Sequence, residues 1–350
     1  MDLINLLQTL SDAFGPPGFE DDVRSIIREK LSGLVDRIEE DALGNLTAWR
    51  DGKGDRVVML DAHTDEVGIL VSHVDDRGFV RFVPLGGWDA RLFPGARVTL
   101  RGKGGFVCAA VGFPAPHITK PEERSKAIAA EELFLDLGCR SKAEVADLGI
   151  GPGTPGVLDG PFKALNDNLV LGKAFDDRAG CAAAIVILEA LKGKSLPFQL
   201  AVNFATSEEL GLRGAKVASY RIQPDVALVL ETTTGADFPG IPDHQCPTKL
   251  GAGVAITVAD RTMLTSPRML RFLVETAEEK GIAHQLKQPM SGGTDGGEIH
   301  LSRSGVLTGV LATPCRYLHG PSSVLDLRDL KALVELTLAA LKKIPSELLK

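Results

Sequence analysis

Short, nearly unbroken apolar runs recur along this chain and are held apart by helical patterns, and this alternation constrains the fold more than any other feature. The runs are VVML at 57–60, LAVNF at 200–204, VALVL at 226–230, VAITV at 254–258 and VLTGVL at 306–311. They lack the polar alternation of a strand that faces water on one side, and suit strands covered on both faces. Apolar spacing of three and four predicts helices over 178–191, 212–220, 267–280 and 327–341. Two more precede the first strand. One carries Leu3, Leu6, Leu7, Leu10 and Phe14 before Gly15-Pro16-Pro17-Gly18 stops it; the other opens on Glu20, Asp21 and Asp22 and carries Val23, Ile26, Ile27, Leu31 and Leu34. The expected class is α/β: a three-layer αβα sandwich with a mixed, largely parallel sheet, whose ligands sit at the carboxyl ends of the strands.

One stretch departs from this texture. GFVRFVP at 78–84, RVTL at 97–100 and GFVCAAVG at 105–112 are short, glycine-bounded runs suited to antiparallel strands, and the one helical signal nearby is KAEVA at 142–146. The reading is a discontinuous catalytic domain, 1–72 with 166–350, and an inserted small β-barrel-like domain over 73–165. GPGTPG at 151–156 formally fits a dinucleotide-binding glycine motif, but two prolines interrupt it and no helical pattern follows.

Composition removes several function classes. The 39 Lys and Arg against 46 Asp and Glu give a net charge of −7, with no long basic block to displace counterions, so no nucleic-acid partner is expected. No apolar run approaches the ~20 residues that span a bilayer, so no membrane partner is expected either. The opening MDLINLLQTL lacks the basic start and long apolar core of an export signal, which points to the cytoplasm. The five cysteines contain no C-x-x-C pair and read as reduced, mostly buried thiols.

Four segments place acids or imidazoles beside buried-strand patterns: DAHTDE at 61–66, KAFDDR at 173–178, ATSEELG at 205–211, and Glu231 together with His319. Each has a plain structural explanation, such as a solvent-facing histidine, a helix cap at Asp176-Asp177 or a solvated turn at Glu208-Glu209. Together they resist it. Strand ends of one parallel sheet converge, so Asp176, Glu208, Glu209 and Glu231 would meet near two imidazoles, and so many carboxylates repel unless protonated or neutralised. A pair of divalent cations bridged by one carboxylate, each with a histidine and a further acid, resolves the conflict with five protein ligands.

DAHTDEVG, LGKAFDDRAG, ATSEELGLRGA, LVLETTTGADFPG and RYLHGPSSV, in this order, resemble the tetrahedral (TET) dodecameric aminopeptidase family, which includes glutamyl, leucyl and lysyl aminopeptidases. FGPPGFEDDVR and SGGTDGGEIHLSRSG extend the likeness over roughly the whole chain. The resemblance implies two divalent metal ions per subunit, zinc first and cobalt or manganese as alternatives. One would be held by His63, Asp176 and Glu231, the other by Asp176, Glu209 and His319. It implies Glu208 as general base, Asp65 as the acid orienting His63, and a cis peptide after Asp176. Asp237 is the fallback ligand should Glu231 not reach, and Asp237 and Asp295 are otherwise read as substrate-binding, with Asp295 lining the pocket. Self-association into a homododecamer built from dimers, with the insertion as dimerisation or lid domain, is likewise implied.

The expected activity is removal of N-terminal residues from peptide substrates. A dinuclear-metal carboxypeptidase or N-acyl amino-acid deacylase is the nearest rival, and would need a substrate-facing arginine among Arg178, Arg213 and Arg316. A non-catalytic assembly module on the same fold is the second. No G-x-S-x-G, H-E-x-x-H or P-loop supports another hydrolase class.

Overall fold

The first helix begins where the Asp2 carboxylate accepts from the amide of Ile4, starting α1 (Leu3–Asp12) with Leu6, Leu7 and Leu10 buried; α2 (Asp21–Lys30) follows with Val23 and Ile27 buried. In this computed structural model, residues 2–115, 117–120, 122, 126–288, 292–345 and 347–348 are described. Strands β1 (Arg37–Glu40), β2 (Leu46–Arg50) and β3 (Val57–His63) lead to six short strands, β4 (Gly68–Val74), β5 (Val80–Leu85), β6 (Arg97–Gly102), β7 (Gly105–Gly112), β8 (Phe134–Asp136) and, after α3 (Lys142–Asp147), β9 (Pro155–Leu158). The chain then forms β10 (Lys163–Ala164), β11 (Leu169–Gly172), α4 (Phe175–Leu191), β12 (Gln199–Ala205), α5 (Arg213–Ile222) and β13 (Val226–Thr234). It finishes with β14 (Val254–Thr257), α6 (Pro267–Lys280), β15 (His284–Lys287), α7 (Gly296–Ile299), β16 (Leu307–Arg316), β17 (Ser323–Asp326) and α8 (Leu327–Lys343).

Among the described residues, eleven strands build one sheet in the order β1-β2-β12-β3-β13-β16-β17-β11-β10, with β14 and then β15 joined to β16. Its centre, β12-β3-β13-β16, is parallel; β2, β14 and β17 flank it antiparallel. These parallel strands are the apolar runs, buried on both sides because helices cover both faces. The larger core packs α1, α2, α4, α6 and α8 against Val58, Leu60, Leu228, Leu230 and Leu311; the opposite face packs α5 and α7 against Met59, Val229 and Val310. This is the mixed, largely parallel αβα sandwich expected.

The other six strands close a barrel in the order β4-β5-β8-β7-β6-β9 around its own core of Ile69, Val80, Phe82, Phe93, Val98 and Leu100. Its first strand starts at Gly68, five residues after His63, and its last ends at Leu158, so the barrel is strung directly from the carboxyl end of β3. All five cysteines are free, with Cys181, Cys246 and Cys315 buried, Cys139 half-buried and Cys108 exposed.

Candidate metal centre and active site

Parallel pairing sets Ala205 level with His63, and Glu231 level with Ala312 of β16, which brings the carboxyl ends of β3, β12, β13 and β16 to one rim. His63 ends β3 and is buried, and Nε2 lies 3.0 Å from Asp176 Oδ1 and 3.5 Å from Glu231 Oε1. The other oxygen of Asp176, Oδ2, lies 3.2 Å from His319 Nε2, which in turn stands 3.1 Å from Glu209 Oε1. One carboxylate therefore sits between two imidazoles, presenting one oxygen to each. Glu208 Oε2 is 3.9 Å from His63 Nε2. The Asp176-Asp177 peptide is cis, and the Asp177 carboxylate turns away to accept from the amides of Gly180 (2.9 Å) and His63 (3.3 Å).

His63, Asp176 and Glu231 form one set of possible ligand atoms within 4.8 Å of one another, and Asp176, Glu209 and His319 form another. Glu231 Oε2 is buried without a hydrogen bond, and Glu209 Oε1 lacks one of good geometry. Buried lone pairs with no proton aimed at them fit a divalent cation, and imidazole with carboxylate is the donor set that zinc and its neighbours take.

The electrostatics agree. Burial works to lower the His63 imidazole, yet Glu208, Asp176, Asp65 and Glu231 override it and hold it well above its ordinary value. His319 likewise rises to about 11 against burial, through Asp176 and Glu209. Burial raises Glu231 to about 7, and lifts Glu208 well above the usual carboxylate range with further help from Glu209, Glu231 and Asp176. Asp176 goes the other way, lowered despite burial by His319 and His63. Groups pushed toward their protonated forms here are ones that a bound cation would hold deprotonated.

Asp65 has a wider part than orienting one ring. His63 Nδ1 faces the Asp65 backbone carbonyl at 3.1 Å and its carboxylate at 3.5 Å, while that carboxylate accepts from the amides of both Glu208 (Oδ1, 3.0 Å) and Glu209 (Oδ2, 3.0 Å). It thus fixes the ring and the two glutamates together. His319 Nδ1 lies 2.7 Å from the carbonyl of Gly87, just beyond barrel strand β5. Sequence reasoning missed this contact, because a backbone carbonyl carries no side-chain signature.

Asp237 and Asp295 belong to neither ligand set. The Asp237 carboxylate receives Arg316 at 2.8 and 2.5 Å. Asp295 is fully buried beside Asp61, both its oxygens lacking a hydrogen-bond donor, and burial with the Asp61 and Glu208 charges pushes it well above the usual range. Of the three arginines that could serve a carboxylate-binding rival, Arg316 is spent on Asp237 and Arg213 is exposed. Arg178 is buried on the carbonyls of Leu10 and Thr64 and on Glu66, a carboxylate that also receives Lys173 at 2.7 and 2.8 Å.

Fold and site together define a metallopeptidase. The chain belongs to the M42 glutamyl aminopeptidase family, whose model matches residues 44–336, and it is accordingly a peptide hydrolase of the aminopeptidase kind. A TET aminopeptidase from a marine sediment archaeon, Thaumarchaeota archaeon SCGC AB-539-E09, superposes with a TM-score of 0.96 at 34% identity, covering 99% of this chain and 98% of that one. The TET1 peptidase of Pyrococcus horikoshii, described as assembling into a tetrahedron or a large octahedral shell, gives 0.87 at 30% identity over 97% and 98%. The glutamyl aminopeptidase of Lactococcus lactis is 30% identical over 335 residues, 94% of this chain and 93% of that protein.

Proposed function

We propose that His63, Asp176 and Glu231 hold one divalent cation and that Asp176, Glu209 and His319 hold a second, with Asp176 shared and Glu208 moving the proton. The observation that carries this reading is the placement of Asp176, one oxygen toward each imidazole at 3.0 and 3.2 Å. Zinc fits the mixed donors best, with cobalt or manganese as substitutes. When bound, such a pair lowers the pKa of water and polarises a carbonyl. Glu208, raised by burial, accepts the proton of the attacking water and returns it to the leaving amine. Asp65 holds the Glu208 and Glu209 amides and so keeps base and ligand in step.

The surplus of carboxylates gives a free α-ammonium an anchor, which restricts cleavage to the first peptide bond. Asp237, paired with Arg316, and the buried Asp295 are structural supports in this reading. By likeness to the Pyrococcus horikoshii shell, dimers joined through the barrel build a homododecamer. Among the described residues no helix is long and apolar enough to cross a membrane, in keeping with work in the cytoplasm.

Glu208→Gln tests the mechanism. Turnover of an aminoacyl p-nitroanilide should fall about 10³–10⁴-fold with metal content unchanged; activity within tenfold of the parent removes Glu208 from its role. N-acetylated substrates should resist cleavage.

A further inference from the structure

The family contains glutamyl, leucyl and lysyl enzymes, so membership leaves the first substrate side chain open. A residue outside the metal cluster addresses it. Lys287 closes β15 and is only 5% exposed, yet no hydrogen bond or ion pair to its ammonium exists among the described residues. A buried lysine without a partner is costly.

The register shows where it sits. Lys287 pairs with Thr257, Ala255 with Ala312, and Ala312 with Glu231, so these side chains share one face of the sheet. The two alanines put no bulk between Lys287 and Glu231. Thr257 Oγ1 is buried beside it, also without a hydrogen bond. The acids acting on the ammonium are Asp260, Glu231 and Asp176; burial outweighs them and lowers it from the ordinary lysine range. Asp260 is engaged elsewhere, Oδ1 accepting from the amides of Thr262 (2.7 Å) and Met263 (2.9 Å) and Oδ2 from the Thr294 hydroxyl (3.3 Å). Once cations neutralise Glu231 and Asp176, as proposed above, Asp260 is the counter-charge left to Lys287, and its oxygens are turned to Thr262, Met263 and Thr294 rather than to the ammonium.

We infer that Lys287 is the specificity-determining residue of the first side-chain pocket, and that this pocket takes an acidic group, so glutamyl and aspartyl N-termini are the preferred substrates. The inference rests on the aminopeptidase reading and deepens it. A substrate carboxylate arriving across Ala255 and Ala312 meets the ammonium and the Thr257 hydroxyl, whereas a leucyl side chain leaves both unpaired and a lysyl side chain meets a like charge.

The test compares kcat/KM for glutamyl, aspartyl, leucyl and lysyl p-nitroanilides in the full-length, metal-loaded protein and in Lys287→Met and Lys287→Glu. Alongside it, calorimetry measures binding of free L-glutamate against L-leucine. The parent should favour glutamyl over leucyl at least tenfold, Lys287→Met should cut that ratio about 100-fold while retaining leucyl turnover, and Lys287→Glu should raise lysyl turnover. Lys287→Met should melt no lower than the parent, since it removes a charge from a residue only 5% exposed. A parent that favours leucyl or lysyl substrates, or an unchanged glutamyl-to-leucyl ratio in Lys287→Met, overturns the inference. A parent that hydrolyses none of the four defeats the aminopeptidase reading instead. Lys287 then stands or falls on whether the glutamate-over-leucine binding preference exists and is lost in Lys287→Met.

Discussion

The two imidazoles of the centre are held in different ways. His63 sits at the end of a central parallel strand, its side chain 1% exposed, with ring nitrogens against Asp65 and Asp176. His319 follows β16 in a left-handed backbone conformation (φ +58°), its side chain 27% exposed, and its second nitrogen leans on a carbonyl from the barrel. One half of the centre is made by the sheet that also makes the core. The other is completed only when a separately cored barrel lies against it. The first half should therefore be rigid and hard to empty, and the second should be the half whose occupancy responds to conditions.

Stripping the metals is the largest disturbance, and should abolish hydrolysis. It should also lower the melting temperature by an amount that depends on pH. Without metal, His319 is held at about 11 against an ordinary 6.5, so its contribution is fully present below 6.5 and is lost as pH climbs through 11. Glu231, raised to about 7, favours the fold when neutral and ceases to do so as pH passes from 4.5 through 7. Both trends weaken the metal-free protein as pH rises. The gap between melts with and without chelator should widen from about pH 6 to about pH 9, and a narrowing gap contradicts the picture.

Next in size is the contrast between the histidines. In metal-free protein, His63→Ala leaves buried Asp176 and Glu231 without their imidazole and should cost about 3–5 kcal/mol. His319→Ala, at a site water reaches, should cost at most about 2 kcal/mol. Urea melts of the two variants measure this directly, and equal losses would erase the distinction.

A smaller effect is expected from the loop that supports His319. Gly86 has φ +90°, and a Cβ there would stand 2.7 Å from Val67 and 3.3 Å from Glu209. Gly86→Ala should weaken one of the two proposed metal equivalents by about 10–100-fold and spare the other, as titration with a chelating competitor would show. Smallest of all, Arg316→Met breaks a part-exposed pair with Asp237 and should change stability by no more than about 1 kcal/mol.

What could be read in advance follows the same division. Apolar runs announce the central strands because both faces are buried, and the α6 pattern at 267–280 coincides with the helix. β1, reading Arg-Ile-Glu-Glu on the sheet edge, and two-residue β10 offer no such signal, since an edge strand needs only backbone partners. Glu231 reads as the close of an apolar run, yet β13 continues through three threonines to Thr234, because β-branched polar residues extend a strand that pairs with β16 on one side. The Asp65 clasp on two amides, the Gly87 carbonyl and the unpaired Lys287 ammonium all depend on which distant segments meet, and residue identity does not encode that locally.

The bond between His319 and the Gly87 carbonyl carries a thermodynamic obligation. If the barrel's seating favours occupation of the adjacent metal position, occupation must favour the barrel's seating by the same free energy. If subunits associate through the barrel as proposed, association and cation supply are reciprocal effectors: a dilute, dissociated subunit should bind the proposed second ion less tightly, and a starved one should associate less readily.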